Sequence, residues 1–365
     1  MKGRTQWSAA TLGLLLAGLP LEVGAQNQAA ERPPETAEVS TVAEPSIRLR
    51  GFGDVSFVAT DAAGKSSSFS IGQLDLFMAS RLSERFQVLA ELVFEAGDDN
   101  AFVVDVERLL LEYSPGDYLR LGAGRYHTGI GYYNTAYHHG SWFATSARRP
   151  FIFEYEDEGG ILPMHGVGLV ARGEIPSGGV GLRYLVEVSN GRASRSGADE
   201  PIQNAKDEND LKALNVRVSS RPAALPELEL GVGLYRDRLE PEGRPEVAET
   251  ILTGFAVYSS FSLELLNEVV WIRHSPRGEG EVSTTTAFYS QLSRRWGRAR
   301  PYSRYEYLKV PDADPIAGGL GRREALSLGV RLDLTTYASL KAQYARLARD
   351  RSTTNGFEVQ AAFAF

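Results

Sequence analysis

Glu324-Ala325-Leu326-Ser327-Leu328-Gly329-Val330-Arg331-Leu332-Asp333-Leu334 is the stretch that decides the fold. Leu326, Leu328, Val330, Leu332 and Leu334 recur at every second position, with Ser327, Gly329, Arg331 and Asp333 between them. A period of two belongs to a strand, whose successive side chains point to opposite faces. The polar face carries charge, which a dry sandwich core would have to desolvate. A strand with lipid on one side and a wet lumen on the other has no such cost.

The same reading extends outward along the chain. Phe86, Val88, Ala90, Leu92 and Phe94 form an apolar row, with Gln87, Glu91 and Glu95 opposite. Leu74, Leu76, Met78 and Leu82 alternate with Gln73, Asp75 and Arg81, and residues 182–188 turn Arg183 and Glu187 inward. Arg108, Arg346 and the strand around Glu107 fit this register poorly. Between strands, short turns at 83–84, 114–117, 176–179, 220–226, 259–262, 296–297 and 335–336 alternate with generally longer polar connections. Two of those connections, 97–100 and 350–353, are also short. That asymmetry is the mark of an outer-membrane barrel, and the spacing predicts a transmembrane antiparallel β-barrel of about 16 strands. A barrel of that size leaves an aqueous channel, where eight strands would be filled by side chains. Tyr113, Tyr118, Tyr258, Trp296, Tyr302 and Tyr337 lie near strand ends and are expected in the aromatic girdles.

Both chain ends suit export to that membrane. Lys2 and Arg4 precede an apolar run too short to span a bilayer, and Val23-Gly24-Ala25 closes it. Residues 1–25 are therefore expected to be a cleaved signal peptide. Residues 26–46, with Pro33-Pro34 and four glutamates, have too few large apolar side chains to fold alone and are read as a flexible periplasmic leader. The barrel is assigned to 47–365. Its last strand alternates Phe357, Val359, Ala361, Phe363 and Phe365 with small or polar residues. An alternating strand that ends on Phe365 resembles the signal read by the barrel assembly machinery.

Composition narrows the function. The chain has no Cys, so disulfides and thiolate metal sites are excluded. Its formal net charge of −7 opposes nucleic-acid binding. No continuous apolar segment after residue 25 reaches the roughly 18 residues of a membrane-spanning helix.

One connection stands apart. Residues 127–163, the third external loop, contain His127, Tyr132, Tyr133, Tyr137, His138, His139, Trp142, Arg148, Arg149, Glu154, Glu156, Asp157 and Glu158. A loop of this length is usually functional, and its aromatics favour folding back against the inner wall. A barrel of about 16 strands with its third loop turned inward resembles the porins. The passage Leu119-Arg120-Leu121-Gly122-Ala123-Gly124-Arg125-Tyr126-His127-Thr128-Gly129-Ile130-Gly131 resembles the segment entering that loop in phosphate-selective porins of the O/P type. Gly129 stands where proline is more usual in that pattern. The resemblance implies a homotrimeric channel, embedded among outer-membrane lipids, whose inward loop sets the constriction.

On that basis the constriction is expected to involve His138, His139, Arg148, Arg149, Glu154, Glu156, Asp157 and Glu158. Arg81, Arg120, Arg183, Arg217, Arg304, Arg331 and Lys341 are expected to face the lumen. Asp75, Glu91, Glu95, Glu187, Glu306, Asp333 and Glu358 share those faces. A mixed lining favours a transverse field over a phosphate ladder. The expected function is passive diffusion of ions and small hydrophilic solutes, anions such as phosphate among them. The alternative is a barrel for binding or assembly with no transport role.

Sharper chemistries are weaker. Four of the five histidines, His127, His138, His139 and His165, lie in or beside the loop, and imidazoles are common zinc and copper ligands. Without helical spacing or cysteine, the expectation is histidines bonded to the wall, with no metal and no cofactor. His138, His139, Ser141 and Glu154 are the residue types of a hydrolase, but no nucleophile motif accompanies them. The chain is not read as an enzyme.

Overall fold

In the computed structural model, residues 46–365 are described except 98–100, 139–141, 156–159, 194–205, 208 and 279. Residues 1–25, read as a signal peptide, and nearly all of 26–46, read as a leader, lie outside the described residues. Sixteen strands form one closed antiparallel barrel, each paired with its sequence neighbours and β1 with β16. The first half comprises β1 (Ser46–Thr60), β2 (Ser68–Arg81), β3 (Phe86–Ala96), β4 (Phe102–Gly116), β5 (Leu119–His127), β6 (His165–Glu174), β7 (Leu182–Ser189) and β8 (Ala213–Ser220). The second half comprises β9 (Leu228–Leu239), β10 (Val247–Ser259), β11 (Leu263–Pro276), β12 (Ser283–Arg294), β13 (Ala299–Lys309), β14 (Arg322–Asp333), β15 (Ala338–Arg349) and β16 (Ser352–Ala364). Most strands meet or exceed the roughly 9–11 tilted residues that cross a bilayer.

The alternation appears directly as exposure. On β14, Leu326, Leu328, Val330 and Leu332 are exposed outward, while Ser327 and Arg331 are buried inward. On β16, Phe357 and Phe363 are exposed while Glu358, Gln360 and Ala362 are buried. A continuous outward apolar surface of this kind is stable only against lipid. The protein is an outer-membrane barrel. Its seam closes through paired backbone bonds, Gly51 N–H to the Phe365 carbonyl at 2.8 Å and the reverse at 2.9 Å.

The poor fit around Glu107 has a physical cause. Glu91 pairs with Arg108 and Leu92 with Val106, so Glu107 is an extra residue, a β-bulge in β4. A bulge sets two residues against one and re-aims side chains. Glu107 and Arg108 are consequently both turned inward, Arg108 reaching Glu91 at 3.1 Å. Arg346 lies on the outer face of β15, three residues from the strand's end and between the inward Ala345 and Leu347, where a long cationic side chain can reach the headgroup level. Tyr118, Trp296 and Tyr337 are exposed beside the short turns, as an aromatic girdle requires. Tyr302 is a correction: it is buried inside the barrel, donating its hydroxyl proton to Gln343 at 2.7 Å.

The largest apolar cluster lies in the lumen, where the third loop packs on the inner wall. It joins Ile130, Tyr133, Phe151, Ile152, Phe153 and Leu162 of the loop to Tyr235, Ile251, Phe255, Leu266, Val270 and Tyr289 of β9 to β12. Most aromatics in 127–163, Trp142 and Phe143 excepted, thus belong to or pack against the core of an interface inside the barrel.

Candidate functional site

The third loop leaves β5 at His127 and rejoins the wall at His165. Among the described residues between them lie a short helix, α1 (Tyr133–Ala136), and a 3-10 turn at Phe151–Phe153. A loop that short of regular structure leaves many backbone groups to satisfy once it is buried. The wall supplies the partners, and they are charged. Glu268 accepts the Tyr133 N–H at 2.9 Å, the Tyr132 N–H at 2.5 Å and the Tyr289 hydroxyl at 2.7 Å. Glu187 accepts the Gly129 N–H at 2.9 Å, Glu306 the Phe151 N–H at 2.7 Å, and Glu264 the Thr145 hydroxyl at 2.9 Å.

Cations take the carbonyls. Arg217 donates to the Gly131 and Gly129 carbonyls at 3.0 and 3.2 Å. Arg304 donates to Arg148 O at 2.7 Å and Arg149 O at 3.1 Å, and Lys341 donates to Ser146 O at 3.0 Å. Arg331 donates to Ala144 O at 2.9 Å and also reaches Trp142 O. Charge-assisted bonds of this kind each contribute roughly 1.5–3 kcal/mol.

This changes the role of the inward charges. Arg217, Arg304, Arg331 and Lys341 point inward but are covered by the loop, and Arg304 and Lys341 are almost fully buried. They staple the loop to the wall. Arg183 lies toward the short turns, half-exposed and 3.7 Å from Glu174. Arg81 and Arg120 share strand parity with inward residues, Arg120 pairing with Arg172, which bonds Glu112. Glu264 and Glu268, the loop's acidic anchors on β11, escaped the sequence reading. Their four-residue spacing on one strand face was the available signal.

Among the described residues, an opening lies between the loop and the β1–β3 wall. A cavity of about 560 Å³ is lined there by Asp54, Gln73, Glu95 and Glu358 of the barrel and by Arg148, Arg149 and Glu154 of the loop. Arg148, half-exposed, bonds Glu358 at 2.5 Å. The Arg149 guanidinium carbon lies 3.6 Å from the centre of the Tyr155 ring. Among the described residues, its Nε and Nη1 meet no protein acceptor. Glu154 faces Arg323 at 3.7 Å. His139, Glu156, Asp157 and Glu158 lie outside the described residues.

His138 does border this cavity, but its ring is largely buried toward the β4–β6 wall. There Glu107, His127, His138 and His165 present ligand-type atoms all within 4.8 Å of one another. His138 Nε2 lies 2.8 Å from His165 Nε2, and His127 stacks on His138 with ring centres 3.5 Å apart.

The fifth histidine organises another loop. His274, at the outer end of β11, meets Glu249 at 2.9 Å through Nε2 and Asp314 at 2.8 Å through Nδ1. Asp314 belongs to the connection 310–321 and also accepts the Ala317 and Ile316 N–H groups at 2.9 and 3.0 Å. Burial pushes the Asp314 carboxyl up, but the bonds from His274 and these amides outweigh it and hold it down at about 2. A depressed carboxylate stabilises the fold above its unfolded value of about 4 and ceases to do so as pH falls through its folded value. The connection should therefore resist pepsin at pH 4 and become cleavable near pH 2. Asp314→Asn should be cleaved within 310–321 at both pH values, and equal resistance of both proteins would refute the role.

No family model and no curated protein matches the chain. Solved structures do. An anion-selective porin from Comamonas acidovorans superposes with a TM-score of 0.64 at 16% identity, over 88% of this chain and 100% of the other. The fold is that of a porin. The outer-membrane channel DcaP of Acinetobacter baumannii gives 0.60 at 12% identity, over 90% and 100% of the two chains. The trimer form of OmpT, an outer-membrane protein of Vibrio cholerae, gives 0.57 at 10% identity, over 88% and 99%.

Proposed function

We propose that this protein is an outer-membrane diffusion channel for ions and small hydrophilic solutes. The observation that carries the reading is the third loop, held inside the barrel by wall charges while a charged cavity stays open beside it. A plug would have no use for a polar passage. A loop that merely fills the lumen would not leave acidic and basic side chains facing each other across about 560 Å³. The arrangement puts Arg148 and Arg149 on the loop side of the passage and Asp54 and Glu95 on the wall side. Such a transverse field orients dipolar solutes and disfavours apolar ones.

Anions, phosphate among them, are the preferred cargo in this reading. Arg149 lines the loop side of the cavity beside Arg148, and the Arg148 side chain is half-exposed there. By analogy with the resemblance read in the sequence, the channel works as a homotrimer. It is exported with removal of residues 1–25 and inserted by the barrel assembly machinery through the strand ending at Phe365.

Planar-bilayer recording of the purified protein tests the proposal. Stable ohmic steps are expected, and a silent barrel would refute it. With a salt gradient across the bilayer, Arg148→Ala/Arg149→Ala should move the reversal potential toward cation preference. An unmoved potential would remove the loop as the selectivity filter.

A further inference from the structure

We propose that Glu107, His138 and His165 form a binding site for a divalent transition-metal ion of the zinc class, clamping the third loop to the barrel wall. Three separate parts of the chain build it. Glu107 is the extra residue of the β4 bulge, His165 opens β6, and His138 follows α1 inside the loop. All three side chains are buried, and their ligand-type atoms gather within 4.8 Å.

Hydrogen bonding determines which nitrogen of His138 is available. Asn134 donates through Nδ2 to the carbonyls of Thr128 and Met164, at 2.9 and 3.0 Å. Its Oδ1 is therefore the atom facing His138 Nδ1, 2.6 Å away, and accepts a hydrogen bond from the Nδ1–H. The neutral imidazole then carries its lone pair on Nε2, the atom aimed at His165. An outer partner that fixes the tautomer of a ligating histidine is a regular feature of metal sites.

His165 Nε2 is the crowded atom. It lies 2.8 Å from His138 Nε2 and in contact with a carboxylate oxygen of Glu107. As a protonated nitrogen it has one hydrogen to give; as a bare one it has one lone pair. Of these two acceptors it can therefore satisfy at most one, and only when protonated. A cation among the three atoms would draw on all of them at once. Zinc–nitrogen and zinc–oxygen bonds of about 2.0–2.2 Å need donor atoms about 3.3 Å apart, so the pair opens by about half an ångström. Two imidazoles and a carboxylate suit zinc, with copper and nickel as competitors.

His127 is within range but serves differently. Arg108 Nη2 approaches its Nδ1 at 2.8 Å, so that nitrogen accepts, and its Nε2 faces Glu91 at 3.4 Å. Stacked parallel on His138, it braces that ring instead of sharing its ligand plane.

The test uses tag-free, refolded full-length barrel in detergent, titrated with zinc by calorimetry, with metal content measured after gel filtration. One zinc per chain is expected, and a cobalt-loaded sample should show the visible absorption of a low-coordinate site. Asn134→Ala should weaken zinc binding about 10–100-fold. His138→Ala and His165→Ala should each weaken it further, in samples whose heat-modifiable gel mobility shows an intact barrel. Glu107→Gln keeps the side-chain shape and should also lose affinity, which guards against a folding artefact. A folded wild-type barrel that takes up no zinc overturns the proposal. Uptake unchanged by His138→Ala and His165→Ala overturns it as well.

Discussion

Replacing Arg304 by alanine should release the third loop and raise single-channel conductance severalfold. Arg304 is almost fully buried and binds Glu306 at 2.9 Å, Ser146 Oγ at 2.8 Å and two loop carbonyls. Its removal strips the loop of those bonds and leaves Glu306 buried with its cation gone. Breaking a buried pair in this way costs about 3–5 kcal/mol. The barrel is held by its closed strand ladder, so the loss falls mainly on the loop. Arg304→Lys keeps the charge but cannot reach two carbonyls, a hydroxyl and a carboxylate with one ammonium, so it should give an intermediate conductance. A second readout is independent of conduction: protease should cut within 128–164 in Arg304→Ala and spare that segment in the parent. Unchanged conductance together with an unchanged digest would refute the staple.

The other large effect concerns a glycine. Gly124→Ala should abolish recovery of folded barrel, as judged by heat-modifiable mobility. Gly124 sits at φ +139° just before the loop, and a Cβ there would lie 1.9 Å from the Leu109 carbonyl oxygen. Backbone strain at such a φ costs about 1–3 kcal/mol by itself, and the clash is with backbone that belongs to the β4–β5 ladder. Gly64→Ala separates the two terms. Gly64 also has positive φ, +78°, but a Cβ there meets nothing within 4 Å. That variant should fold with a modest loss of stability. Equal folding of both would show that strain and contact at Gly124 are absorbed by local adjustment.

The barrel was legible because its code is local. The alternation in 324–334 depends on which face of one strand meets lipid, and exposure along β14 follows it residue by residue. The turns were legible for the same reason, and so was the loop that interrupts their rhythm. Register was lost at Glu107, where pairing with the neighbouring strand inserts an extra residue. Tyr302 was misplaced because position near a strand end says nothing of the face it occupies.

The candidate site was legible only in outline. Arg148, Arg149 and Glu154 line the cavity between the loop and the β1–β3 wall. Arg304, Arg331 and Lys341 were visible as inward charges, yet parity could not tell water from a covering loop. The histidines show the gap most clearly. His127, His138 and His165 have no metal-ligand spacing in the chain, and Glu107 lies outside the loop altogether. Sequence alone determined a strand-built membrane barrel wide enough to hold water, with one long segment available to narrow it, because alternation and turn spacing are written within each hairpin. Tertiary structure decided which charges line the cavity, which hold the loop, and that Glu107 meets His138 and His165. Those contacts join residues from separate strands and the loop across a closed ring, where only three-dimensional register brings them together.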